Sequence, residues 1–583
     1  MQQTSPPGAD GHTLLLCRSR SRWWLEIELA LVVIVAVAGY FSRMTDLSVR
    51  GEESRRGLIA QEMLRTGDWI VPRCQGIPLF SRPPLQNWLI AGMALVRGEV
   101  DAFCLRFPSD CAIVLTVILV YGYARTFLTR LGALAAASAY ISTAQVLELG
   151  RMGETDALFA LCMSGSLLVW HACKLRGSSP YTTWCLGYLL AALAMLTKGP
   201  QAPVYFIGGT AIYLIVSRQW RFAVSKAHLA GIAVYCLVFG AWEIPFALRL
   251  GAEGAGQMYV NDVGHRFIDA TWILFSRHML EFPFELVGCL LPWSGLLIVW
   301  CNQRFRSTLG QARLHAVFLV LCLLVALPTV WLPPGSKPRY LFCLYPCVAL
   351  LVGIIADRIL RTRNREAWRI VWPVFSKCCA LGMVGFALYV LIISVGQVDV
   401  FLRQSWWVAG LYALSAGVVA ALVWRFADIH SGRVHRAALL TIAGFINLSD
   451  VTIVINAFQG SSVDTKGAVA ALKEQLPAGT KLVSFGQTHH LFVYHLAEPV
   501  AVVDLPRTPG DAAGYEYFCL NSMQAWKEKL PFEWEKIAEI NCDKHAVQYV
   551  NWRIIVGHRL PAAADGRQAF EPDRSADKAS DLR

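Results

Sequence analysis

Long apolar runs follow one another along this chain, separated by short polar connections. They lie near 24–41, 106–124, 131–148, 157–173, 182–197, 200–217, 228–248, 284–301, 314–332, 341–360, 369–393, 405–424 and 438–456. A run of about 18 residues spans the roughly 30 Å hydrocarbon core as a helix, and a bilayer admits little else, because every backbone N–H and C=O must be satisfied within the segment. The predicted fold is therefore an all-α polytopic membrane domain of about thirteen transmembrane helices over 1–459. Composition agrees: 55% of the 583 residues are hydrophobic and 16% are charged, too little polar surface for a soluble protein of this size. Residues 85–97, LQNWLIAGMALVR, are apolar but too short to span, and predict a helix lying at the interface.

Charge orients the runs. If the N-terminus, with Arg18, Arg20 and Arg22, is cytoplasmic, alternate connections should be basic. They carry Arg125 and Arg130, Lys174 and Arg176, Arg218 and Arg221, Arg304 and Arg306, Arg358 with Arg361, Arg363 and Arg365, then Arg425, Arg433 and Arg436. The net charge of +12 is thus a topology signal, and nucleic-acid binding, which asks for a basic face on a soluble domain, is excluded. An odd number of spans puts 460–565 outside. GAVAALKEQL reads there as helix and KLVSF, AVVD and AVQYV as strands, so a small extracytoplasmic α/β domain is expected, followed by a polar tail at 566–583. The 17 cysteines sit mostly singly in apolar runs without zinc spacing. Cys519 and Cys542 share the outer compartment and are candidates for a disulfide.

On the outer side this topology collects polar signatures far apart in sequence: SVRGEESRRGL at the start of a loop over 42–105, GRMGETDALF, MLTKGP, the 249–283 loop and PPGSKPRYLFCLYP. Ionisable groups at a membrane face are costly and mark function. Glu52, Glu53 and Asp156 supply carboxylates; Arg55, Arg82, Lys198, Lys337 and Arg339 supply cations against the positive-inside preference. Cations gathered there need an anionic partner, and a phosphate at the lipid surface fits their charge-assisted hydrogen bonding. No Walker loop or GxGxxG fingerprint is present, so the expected ligand is a phosphorylated lipid.

The stretch GEESRRGLIAQEMLRTGDWIVPRCQGIPLFSRPPLQNWL, with the later LTKGP and SKPRYLFCLYP, resembles the outer loops of the GT-C membrane glycosyltransferases that use lipid-phosphate sugars. It is most similar to the aminoarabinose (lipid A) transferases and the related protein O-mannosyltransferases. The resemblance runs from about 40 to 360 in the same order. It implies transfer of a sugar from a polyprenyl-phosphate donor to a lipid or protein acceptor on the extracytoplasmic face of a bacterial inner membrane, with inversion at the anomeric carbon. It implies Glu52 as the catalytic carboxylate, with Asp156 flanking the sugar or supporting it. Arg55, Arg82, Lys198 and Arg339 would hold phosphate, Tyr340 would donate a hydrogen bond, and Glu53, Lys337 and His278 would contact substrate. The chain departs from the pattern at Glu52, where the family has aspartate, at Arg82, where it has lysine, and at Ser81, often acidic in the relatives. That last change weakens a site for a divalent metal, the one cofactor the resemblance allows. The competing reading is a flippase or transporter of a charged lipid, which should carry its charges near the midplane on broken helices.

Overall fold

The computed structural model describes residues 23–264, 271–361, 370–398, 400–521, 530–542 and 553–561. Arg18, Arg20, Arg22, Arg363, Arg365, the strand expected at AVQYV and the 566–583 tail lie outside the described residues. Every apolar run is helical. Eight helices among the described residues are long and apolar enough to cross a membrane, nine if Trp272–Cys289 and Trp293–Cys301, bent by 116°, form one broken span. Ile27–Phe41 and Gln201–Val216 are apolar but shorter. The run at 131–148 divides into Arg130–Ile141 and Ala144–Gly150, because the Ser142 and Thr143 hydroxyls turn back onto the carbonyls of Ser138 and Ala139.

Local chemistry sets many ends. Asp101 accepts from the Cys104 amide to start Ala102–Ala124, and Thr129 accepts from Gly132 to start Arg130–Ile141. Gly199, at φ 122°, stops Pro180–Lys198 and lets Gln201–Val216 begin directly. Arg130–Ile141 packs on Tyr345–Arg361 at a distance only small residues allow: a Cβ on Gly353 would stand 2.7 Å from both the Ala136 methyl and the Gly132 carbonyl. At one end of the bundle Arg125 grips Glu26 at 2.8 Å and Arg436 reaches Glu28 at 2.5 Å, so two connections read as cytoplasmic share one side.

The outer layer is built from both ends of the chain. Glu52–Thr66, a hairpin of β1 (Arg73–Cys74) and β2 (Ile77–Pro78), and Leu85–Arg97 come from the first loop. The C-terminal part adds Thr465–Gln475, His490–Leu496 and a five-stranded sheet. Its strands are β3 (Val483–Phe485), β4 (Ala501–Val503), β5 (Tyr517–Asn521), β6 (Trp534–Asn541) and β7 (Arg553–Arg559), in the order β4-β3-β5-β7-β6. β3 is parallel to β4 and β5; β7 is antiparallel to β5 and β6. Leu58, Ala60, Ile90 and Leu105 of the first part share one core with Val469, Leu491, Phe492 and Val556 of the second. Cys519 and Cys542 are free thiols rather than a disulfide, and burial pushes each up to about 12.

Candidate active site

Helix Glu52–Thr66 begins at Gly51, whose φ of 58° turns the chain abruptly into the first helical residue. Two adjacent carboxylates then face opposite ways. Glu53 is 1% exposed and lies in a fork with Arg106, whose Nε and Nη2 both donate at 2.9 Å; it also accepts from the amides of Gly153 at 2.7 Å and Arg50 at 3.2 Å. Burial pushes this carboxyl up, but the Arg106 guanidinium and these donors prevail and hold it below its ordinary value. Its oxygens serve the fold. Glu52 instead keeps a side chain 41% exposed, with Arg55 at 2.9 Å and Arg56 at 3.6 Å. Arg56 is buried, which lowers its guanidinium to about 10 against the support of Glu52.

A second group assembles from four segments. Lys198 donates to Asp156 Oδ1 at 2.5 Å and Arg339 donates to Asp156 Oδ2 at 2.7 Å. Arg339 also pairs with Glu154. Arg82, held by the turn that Pro83 and Pro84 impose, donates to the Lys198 carbonyl at 3.4 Å. Lys198 stands 5.6 Å from the Tyr340 ring centroid. Burial raises the Glu154 carboxyl; its partner Arg339 recovers part of that shift and Asp156 opposes the recovery. The two groups are neighbours, since the charges of Arg82 and Glu154 both act on Arg56.

The structure thus brings Glu52, Arg55, Arg82, Asp156, Lys198, Arg339 and Tyr340 to one place. Lys337 is exposed at the start of the turn Pro338–Leu344 and makes no ion pair among the described residues. His278 packs on Phe282, with centroids 5.3 Å apart, and its Nε2 is buried without a hydrogen-bond partner among the described residues; none of these contacts joins it to the cluster. Sequence reasoning missed two members, Arg56 and Glu154. The acid-x-acid pattern of GETD just before a helix was the available signal for Glu154. Five cations, Arg55, Arg56, Arg82, Lys198 and Arg339, face three carboxylates, Glu52, Glu154 and Asp156. The local surplus of positive charge suits a phosphate. Among the described residues no three His, Cys, Asp or Glu side chains converge as metal ligands, and the arginines on Glu52 are a poor setting for a resident divalent cation.

This fold is that of the GT-C membrane glycosyltransferases. It is similar, with a TM-score of 0.68 and 16% identity, to the ArnT protein of Cupriavidus metallidurans bound to undecaprenyl phosphate, covering 93% of this chain and 99% of that one. The apo form of that protein gives 0.67 at 16% identity, over 91% and 97% of the two chains. Residues 81–242 match the family model described as dolichyl-phosphate-mannose-protein mannosyltransferase. In sequence the chain is 30% identical over 325 residues to the undecaprenyl phosphate-alpha-4-amino-4-deoxy-L-arabinose arabinosyl transferase of Pseudomonas aeruginosa strain LESB58, covering 54% of this chain and 57% of the relative. The enzyme of the same name from Aeromonas salmonicida is 27% identical, over 55% and 58%. The match spans less than two thirds of the length of these relatives.

Proposed function

We propose that the protein is an integral membrane glycosyltransferase moving a sugar from a polyprenyl-phosphate donor to a lipid or protein acceptor on the extracytoplasmic face of a bacterial inner membrane. The N-terminus is cytoplasmic in this reading, as the basic connections require. The observation that carries it is one exposed carboxylate, Glu52, beside a cluster with more cations than anions.

The donor is a phosphodiester with one negative charge. Transfer breaks the bond between the anomeric carbon and the phosphate oxygen, whose electron pair stays on phosphate, so charge grows there toward two. Arg82, Lys198 and Arg339 meet that growth. Because their stabilisation is stronger late in the reaction than at the start, it lowers the barrier and not only the binding energy. Asp156, 2% exposed and accepting from both Lys198 and Arg339, holds the two cations in place. Glu52 accepts the proton of the acceptor hydroxyl as its oxygen attacks the anomeric carbon. One displacement on the face opposite the departing phosphate inverts the sugar's configuration.

The test uses the purified full chain with a polyprenyl-phosphate sugar and follows free polyprenyl phosphate. Glu52→Gln keeps shape and loses the base, so release should fall by about 10² to 10⁴ with little change in thermal unfolding. Asp156→Asn should lower release by about 10² to 10³ as Lys198 and Arg339 lose their anchor. Wild-type rates in both variants would remove the site assignment. A donor that crosses the bilayer still glycosylated would make the protein a flippase.

A further inference from the structure

A large cavity borders the start of helix Glu52–Thr66, with Arg50 and Glu53 in its wall. It encloses about 1250 Å³. Its walls are apolar, with Val287, Leu291, Val374, Met383, Phe386 and Phe445 among them, and two membrane-length helices, Val371–Val395 and Trp406–Phe426, contribute to them. A space of this size and lining is unfavourable for water, and hydrocarbon is the natural filling within a bilayer. Acyl chains are therefore the occupant its walls select.

The cavity has a charged end. Arg106 and Arg151 reach it, but Glu53 and Asp450 neutralise them at 2.9 and 2.7 Å. Arg50 and Glu148 are different. The Arg50 guanidinium lies 3.8 Å from the Phe458 ring centroid, and no carboxylate pairs with it among the described residues. Glu148 is exposed and likewise without an ion-pair partner among them. Burial lowers the Arg50 guanidinium, and Glu53, then Glu148, oppose that shift from a distance without closing on it as ion pairs. The same apolar slot is thus lined by a guanidinium that can take a phosphate and a carboxylate that can take an ammonium.

We propose that this slot holds a bilayer aminophospholipid of the phosphatidylethanolamine kind, its phosphate on Arg50, its ammonium on Glu148 and its acyl chains between the membrane helices. A singly anionic headgroup leaves Glu148 unanswered and repelled. A quaternary ammonium lacks N–H groups for the carboxylate to accept. None of the five cations of the donor cluster lines this cavity, and the proposal does not depend on the transferase reading.

The experiment mixes the full-length protein in detergent with equal phosphatidylethanolamine, phosphatidylcholine and phosphatidylglycerol, repurifies it and counts retained lipid by mass spectrometry. Phosphatidylethanolamine should be enriched several-fold, at about one per chain. Arg50→Gln should lower retention of all three lipids by about tenfold. Glu148→Gln, at an exposed position, should fold normally, retain lipid and lose the preference for the primary amine. Gly382 lines the slot, and a Cβ there would meet nothing within 4 Å, so Gly382→Phe should reach into the space and expel the lipid. Three results would each overturn the proposal: no enrichment of phosphatidylethanolamine in the wild type, unchanged preference in Glu148→Gln, or mole-for-mole displacement by polyprenyl phosphate, which would make the slot the donor's tail groove.

Discussion

The membrane bundle and the outer layer are held together by different means. In the bundle, helices approach through small residues such as Gly132, Gly353 and Ala136, and large buried rings such as Trp170 and Trp184 fill the space between. The outer layer is stitched by specific polar contacts between segments 394 to 436 residues apart. Ser54 Oγ and His490 Nδ1 are 2.6 Å apart, Gln75 donates to the Thr488 carbonyl at 2.8 Å, and the Tyr494 hydroxyl donates to the Val100 carbonyl at 2.8 Å. Hydrocarbon provides no hydrophobic drive between helices, so packing must supply cohesion there. Outside, a shared apolar core forms and hydrogen bonds fix its register. The helix that carries Glu52 belongs to both systems.

The sharpest break lies between Glu53 and its neighbour. Glu53→Ala leaves Arg106 buried and unpaired, which should cost about 3–5 kcal/mol and appear as a large loss of thermal stability. Glu52→Gln, one residue away, should leave unfolding unchanged. Next comes the seam itself. A Cβ on Gly57 would stand 2.5 Å from the Tyr494 ring, so Gly57→Val should cost about 1–3 kcal/mol and expose the 465–496 segment to limited proteolysis, with the membrane helices unaffected. Ser54→Ala removes one buried hydrogen bond to His490 and should cost about 1 kcal/mol or somewhat more, read in the same two assays.

The smallest effect is acid sensitivity confined to the outer layer. Burial lowers His489 and His495 to about 4 each, helped by Arg55 and by Lys466 respectively. The folded state therefore takes up these protons later than the unfolded chain does. The contribution of these two histidines to stability should be full above about pH 6.5 and fall as the pH drops from 6.5 toward 4. Hydrogen exchange across that range should rise in 465–500 before it rises in the bundle.

The bundle was the legible half. Each apolar run became a helix because a bilayer leaves the backbone one solution, and Gly199-Pro200 marks its own break. Sequence reading does not foresee the 116° bend between Trp272–Cys289 and Trp293–Cys301 or the division at Ser142, since both lie inside continuous apolar stretches. In the outer layer, KLVSF and AVVD announced β3 and β4, and GAVAALKEQL announced Thr465–Gln475. β6 lacks a clean alternation because it is an edge strand, half-exposed on both faces. For the site, residue types and topology were enough to gather Glu52, Arg82, Asp156, Lys198 and Arg339. They did not separate Glu52 from Glu53, because which of two adjacent acids turns inward depends on Arg106, fifty-three positions downstream. The boundary expected at residue 460 divides residues that share one apolar core, Leu58 and Ile90 on one side and Val469 and Phe492 on the other.

That shared core sets a timetable for biogenesis. A growing chain delivers Glu52 and its helix early, but the surface they lean on, from Val469 to Val556, is made only after the membrane helices. Until then the first loop waits half-built at the membrane, with Leu58, Ile90 and Tyr494's future pocket uncovered. A message cut short before codon 465 would leave the apolar face of the first loop, Leu58 and Ile90 among it, without the residues that cover it.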